Sequence, residues 1–234
     1  MKKFWLTAMM GLLTLGLLTQ GTALASIILD ISPEADAYVN ANLYTTNYGT
    51  NALLNVGRSG GSYTRNSYLK FDLSGLSGIK AADLLSATLY LDLVDRPKAT
   101  PVNYRVPMSL SHVDNDAWLE STITSNNQPT RGSTMYTTPS NLPLGWVAFN
   151  LLSLGNSWVA GDLIDGELSV TLWATSGTGT YTPNTDYKFY SRDYADAALR
   201  PYLRVEYNPV PVPPSALLLG SGLLGLVGFR FRKS

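Results

Sequence analysis

No cysteine occurs among the 234 residues. Disulfides are therefore excluded, and packing or a bound ion must stabilise the fold in their place. Histidine occurs once, as His112, which leaves a His-based triad or a zinc site without partners. Beside Met108 and Leu110, on or at the end of a strand, that imidazole reads as a packed or hydrogen-bonded residue. Charge is also scarce: 15% of residues are charged, and 17 basic residues balance 17 acidic ones. Without a basic excess there is no electrostatic basis for binding nucleic acid or an anionic lipid surface. Internal repeats are absent. What is abundant is Tyr, Thr, Ser, Asn and Gly, a balance that suits short strands and polar loops rather than a helical bundle.

The two ends differ from the middle. Met1–Ala25 has a basic start at Lys2 and Lys3, an apolar segment from Phe4 to Leu18, and a small-x-small cleavage site formed by Ala23 and Ala25. That order reads as a secretory signal, removed before Ser26. At the other end, residues 209–215 form a Pro-rich linker that no helix interior or central strand accepts. Residues 216–234 follow as an apolar run with a basic tip. As a helix, its apolar stretch of about 14 residues spans ~21 Å, short of the ~30 Å hydrocarbon core. It is a marginal anchor whose basic end stays cytoplasmic. It reads as a sorting tail that holds the protein at the membrane only transiently, or alternatively as a plain C-terminal membrane anchor. Residues 26–208 remain as one domain, long enough for a full core.

Within that domain the hydrophobic period is two. Leu69, Phe71 and Leu73 alternate with Tyr68, Lys70 and Asp72. Ala87, Leu89, Leu91 and Leu93 alternate with Ser86, Thr88, Tyr90 and Asp92, and the same pattern recurs over 168–173 and 202–207. Each stretch is a strand with one apolar and one more polar face. Weaker strands are expected at Ile27–Ile31, Ala37–Leu43, Leu53–Val56, Val106–Val113, Val147–Leu151 and Tyr187–Tyr190. A short helix is expected over Leu151–Val159, where Leu151, Leu154 and Trp158 share a face. About ten short strands without helical crossovers predict an all-β fold, a single antiparallel β-sandwich of jelly-roll type.

Two resemblances carry the reading further. Pro213-Pro214-Ser215-Ala216-Leu217-Leu218-Leu219-Gly220-Ser221-Gly222 and its continuation resemble the PEP-CTERM tail. Val210, Pro211, Val212 and Pro213 occupy the family's Val-Pro-Glu-Pro box, with Val212 where the family has glutamate. The resemblance implies an exosortase-type processing enzyme as partner. It also implies release to the surface or extracellular matrix of a Gram-negative bacterium. Within the domain, Asp36-Ala37-Tyr38-Val39, Asn47-Tyr48-Gly49-Thr50, Leu54-Asn55-Val56-Gly57 and Arg65-Asn66-Ser67-Tyr68-Leu69-Lys70-Phe71 resemble the opening of the DNRLRE domain. Trp118-Leu119-Glu120, Trp158-Val159-Ala160-Gly161, Phe189-Tyr190-Ser191-Arg192-Asp193 and Arg200-Pro201-Tyr202-Leu203 follow in the family's order. This likeness implies a jelly-roll sandwich related to carbohydrate-binding modules.

Motifs that usually carry chemistry have plainer readings here. Gly57-Arg58-Ser59-Gly60-Gly61 fits the hydrolase elbow pattern, but it leads into a strand and reads as a hairpin loop. Gly220-Ser221-Gly222-Leu223-Leu224-Gly225 mimics a dinucleotide fingerprint inside the apolar tail, with no βαβ unit around it. Loop carboxylates around Trp118 and at Asp193 and Asp196 are the only acid–base option for a polysaccharide-active enzyme. The plainer alternative pairs Glu120 with an arginine such as Arg65 or Arg192. Tyr48, Tyr63, Tyr136 and Tyr181 fall in loops or at strand ends, where a ring can stack on the C–H face of a sugar. They are the expected ligand-binding residues, and an extracellular polysaccharide is the expected partner. The alternative is that the rings only cover sandwich edges and the domain is a purely structural matrix module. No catalytic residue is assigned. One structural calcium is expected at Glu34, Asp36, Asp193 and Asp196, since hard oxygen ligands suit that ion.

Overall fold

The computed structural model describes residues 25–59, 63–97, 107–139, 142–154, 158–175 and 186–209. The signal segment up to Leu24, the box at Val210–Pro213, the tail and Tyr181 lie outside the described residues.

The described residues form eleven strands: β1 (Ile27–Ile31), β2 (Ala35–Asn40), β3 (Leu53–Ser59), β4 (Tyr63–Asp72), β5 (Leu84–Asp95), β6 (Met108–Val113), β7 (Thr134–Thr137), β8 (Gly145–Asn150), β9 (Glu167–Ala174), β10 (Tyr187–Tyr190) and β11 (Tyr202–Tyr207). Every pairing is antiparallel. Sheet A is built around β5, flanked by β8 and by β11 and β10, with β1 on the far side of β11. Sheet B runs β2, β4, β9, β6, β7. Strand β3 joins the two: Leu53–Val56 pairs with β10, and Gly57–Ser59 pairs with β4. The result is a strongly curled antiparallel sandwich.

The period-two pattern decides which face is buried. Leu89, Leu91 and Leu93 of sheet A face Leu69, Phe71, Leu168, Val170 and Leu172 of sheet B in one core with Phe149, Phe189 and Leu203. Removing this apolar surface from water is the main favourable term, at about 25 cal/mol per Å². Sheet B has a second, smaller core on its outer face, made of Ala35, Ala37, Val39, Tyr68, Val113, Trp118 and Ile123. The segment after β6 therefore lies over sheet B. Lys70 ties it down, donating to the Asp116 and Trp118 carbonyls at 3.1 and 3.4 Å while pairing with Glu34 at 3.2 Å. The Trp118 indole donates to Ser169 Oγ at 2.9 Å.

Three details differ from the sequence expectations. The helix lies at Val159–Asp165 rather than Leu151–Val159. Leu151 continues the strand, its amide bonded to the Ala87 carbonyl, and Asn150 Oδ1 accepts from the Leu152 amide to start a turn instead. The helix stops at Gly166, whose φ of 82° is the left-handed geometry that glycine adopts without steric cost. Second, β2 ends at Asn40, where the side chain accepts from the Asn42 amide and caps a 3-10 turn, Ala41–Leu43. Third, β7 stands inside the long turn-rich segment after Thr124. Its four residues are too few to show a period.

Candidate functional site

Two clusters outside the core carry chemistry. The first is on the outer face of sheet A. Alternation that sends Leu89 and Leu91 inward sends Tyr90 and Asp92 outward on β5, Trp146 on β8, and Tyr202 and Arg204 on β11. Register places Tyr90 directly opposite Tyr202, Asp92 opposite Trp146, and Thr88 opposite Arg204. The rings of Tyr90 and Tyr202 stack at 4.8 Å with an interplanar angle of 12°. Trp146 meets Tyr202 edge-on at 5.4 Å and remains 41% exposed. Arg204 lies 5.4 Å from the Tyr202 ring centre and grips Asp30 with two hydrogen bonds of 2.7 Å. That guanidinium holds the Asp30 carboxyl below its usual range. A second stacked pair, Tyr190 and Tyr194, has ring centres 3.8 Å apart. Tyr90, Tyr202 and Arg204 are half-buried on this face, and Asp92 is buried. Flat rings interleaved with hydroxyl, guanidinium and carboxylate groups match a sugar, whose C–H face stacks and whose hydroxyls seek polar partners.

The second cluster joins three separate segments. Asp36 on β2, Glu120 in the loop over sheet B and Asp193 after β10 bring carboxylate oxygens within 4.8 Å of one another. Arg192 sits among them. Its amide donates to Asp36 Oδ2 at 2.7 Å, and its guanidinium donates to Glu120 Oε2 at 3.0 Å and to the Glu34 carbonyl. Glu120 Oε1 accepts from the Asp36 amide at 3.0 Å. Glu120 is itself fixed by Asn47, whose side-chain amide donates to the Glu120 and Ile123 carbonyls at 2.8 and 2.7 Å. Gly49 packs so closely that an added Cβ would overlap the Glu120 carbonyl oxygen. Asp36 is fully buried, and its Oδ1 has no hydrogen-bond partner. Burial pushes its carboxyl up to about 7, against the pull of the Arg192 amide, with the Glu120 and Asp193 charges adding to the rise.

His112 is a third, enclosed group. Its Nδ1 lies 2.7 Å from Asp114, and its Nε2 lies 3.0 and 3.1 Å from the two Asp162 oxygens. The Asp162 hydrogen bond raises its pKa, opposed by burial and supported by Asp114. With both ring nitrogens engaged, the imidazole is a structural ion-pair partner.

The residues singled out from sequence are distributed as follows. Tyr48 stacks on the buried Tyr38 ring, centres 4.2 Å apart. Tyr136 is half-buried on β7 and packs edge-on to Phe149 at 6.0 Å. Tyr63 opens β4, and its backbone pairs with Ser59 at the end of β3. Asp36 and Asp193 come together, with Glu120 as their third member. Glu34 instead pairs with Lys70. Asp196 accepts from the Ala198 amide at 3.0 Å and caps a 3-10 turn. Arg192 is the partner of Glu120, while Arg65 pairs with the buried Asp186. The sheet A rings were missed because they alternate with leucines and count as the polar face of their strands. Their visible signal was aromatic residues at outward positions of β5, β8 and β11.

An antiparallel sandwich with an aromatic outer sheet face has the build of a carbohydrate-binding module. The chain belongs to carbohydrate-binding module family 96, whose profile matches residues 28–207. Among curated proteins it resembles a gellan lyase from Bacillus sp., with 28% identity over 199 residues, 84% of this chain. The chain spans 7% of that protein's length.

Proposed function

We propose that this protein is exported and binds an extracellular polysaccharide through the outer face of sheet A, without catalysing a reaction on it. Tyr90, Tyr202 and Trp146 supply the stacking surface, and Arg204 supplies polar contacts at its margin. The single observation that carries the reading is this aromatic group on an outer sheet face in a member of a carbohydrate-binding family. Arg204 and Lys188 are already paired with Asp30 and Asp95, so recognition relies on stacking and hydroxyl contacts more than on charge. Stacked rings contribute of order 1 kcal/mol each, which corresponds to micromolar-to-millimolar affinity.

The test is affinity electrophoresis through gels containing gellan, an alginate-like glycan or a neutral glucan. Wild type is expected to be retarded on at least one. Trp146→Ala and Tyr202→Ala should each weaken retention by about fivefold. Trp146→Ala should lower the melting temperature only slightly, because the residue sits on the sheet surface and is 41% exposed. Retention that is absent on every glycan, or unchanged in both variants, would overturn the assignment.

The relative's name supports a second reading, a polysaccharide-active enzyme using loop carboxylates. A reducing-end and unsaturated-product assay on the same glycans separates the two, since binding alone releases neither product. The termini support the address: a signal cleaved after Ala25, and a tail released by an exosortase-type enzyme on the way to the matrix.

A further inference from the structure

We propose that Asp36, Glu120 and Asp193 form a divalent-cation site, selective for calcium, that staples sheet A to the loop over sheet B. Three carboxylates converge while one arginine, Arg192, stands among them. The donors are all hard oxygens, which favour calcium or magnesium over zinc or copper. Ligand oxygens about 2.4 Å from a calcium ion can be at most about 4.8 Å apart, and oxygens of the three carboxylates all lie within 4.8 Å of one another.

A second observation distinguishes this cluster from ordinary surface acids. Asp36 is completely buried, yet Oδ1 finds no donor. Its other oxygen is oriented by the Arg192 amide. A buried polar atom without a partner is costly, and in a native fold it points to a ligand. Asp193 is exposed, so the cluster opens to solvent on that side. Glu120 is pre-positioned by Asn47 and Gly49, as ligand carboxylates at metal sites are by surrounding hydrogen bonds. The irregular set, drawn from a strand and two loops, suits calcium, which tolerates varied geometry and higher coordination than magnesium. The site is independent of the polysaccharide assignment, since it lies on other residues than the sheet A rings.

The experiment uses full-length protein stripped with EDTA and dialysed. Adding 1 mM calcium chloride is expected to raise the melting temperature by several degrees, saturably, because an ion that binds only the folded state stabilises it. Magnesium at equal concentration should give a smaller shift. Terbium, a calcium surrogate, should show aromatic-sensitised emission that calcium displaces. Asp193→Asn, an exposed change, should keep the metal-free melting temperature and reduce calcium affinity at least tenfold. Asp36→Asn should abolish the calcium shift; circular dichroism checks that it folds. The proposal fails if calcium gives no shift, or if magnesium and Asp193→Asn reproduce the wild-type calcium response.

Discussion

His112 shows how one residue sets a pH dependence. The acids facing it are Asp114 and Asp162, with Asp116 and Asp165 acting on Asp162. Hydrogen bonding to Asp162 lifts the imidazole above its ordinary 6.5. The folded state thus holds the proton more tightly than the unfolded chain. The stabilisation is fully present below about pH 6.5 and is lost as the pH rises through the elevated folded value. Burial raises Asp162 as well, and that contribution is lost as the pH rises from about 3.8 through its folded value. Urea unfolding from pH 6 to 9 should therefore show declining stability. His112→Gln should flatten that decline and cost about 3 kcal/mol at pH 6, because the Asp162 carboxylate loses its buried partner. A variant profile parallel to wild type would mean that the imidazole is neutral in the fold.

At the scale of elements, the loop Asn47–Thr50 depends on a close approach rather than on an unusual backbone angle. A methyl at Gly49 would meet the Glu120 backbone and come within 2.8 Å of its Cγ. Backbone cannot swing aside as a flexible side-chain end can. Gly49→Ala should destabilise by about 1–3 kcal/mol, as overpacking generally does, and should weaken any calcium-induced stabilisation with it. Gly57 has a related role on β3. Its missing side chain leaves room for the Asp186 carboxylate, which reaches Arg65 on β4. Melting curves of Gly49→Ala with and without calcium measure both effects. An unchanged midpoint would mean that the loop relaxes freely.

At the scale of the whole molecule, a cysteine-free chain joins its layers by packing and by ion pairs between distant segments. Arg192 with Glu120 and Lys70 with Glu34 tie loops and strand ends that are far apart in sequence. The proposed processing of the two ends belongs to this scale too. Intact-mass analysis of protein recovered from the medium should find neither Met1–Ala25 nor Ala216–Ser234. A full-length tail found solely on membrane-bound protein would instead support a permanent anchor.

Sequence by itself determined the fold class, because burial on a pleated strand writes a period of two into the chain, as at Leu89, Leu91 and Leu93. It also placed β1 and β10 residue for residue, and it grouped Asp36 and Asp193 with Glu34 and Asp196, of which Glu34 pairs with Lys70 and Asp196 caps a 3-10 turn. It did not reveal Glu120 as the third member beside Asp36 and Asp193. Glu120 is 84 residues from Asp36, and no local pattern reports which loop folds over which strand. The outward rings were hidden for a similar reason. Tyr90 and Tyr202 become neighbours only through the antiparallel register of β5 with β11. Trp146 joins them only because β8 flanks β5 on its other side. Strand order, register and the loop that covers sheet B are choices among many pairings with similar local preferences. Tertiary packing decided them, by filling the two cores with apolar side chains from segments distant in sequence.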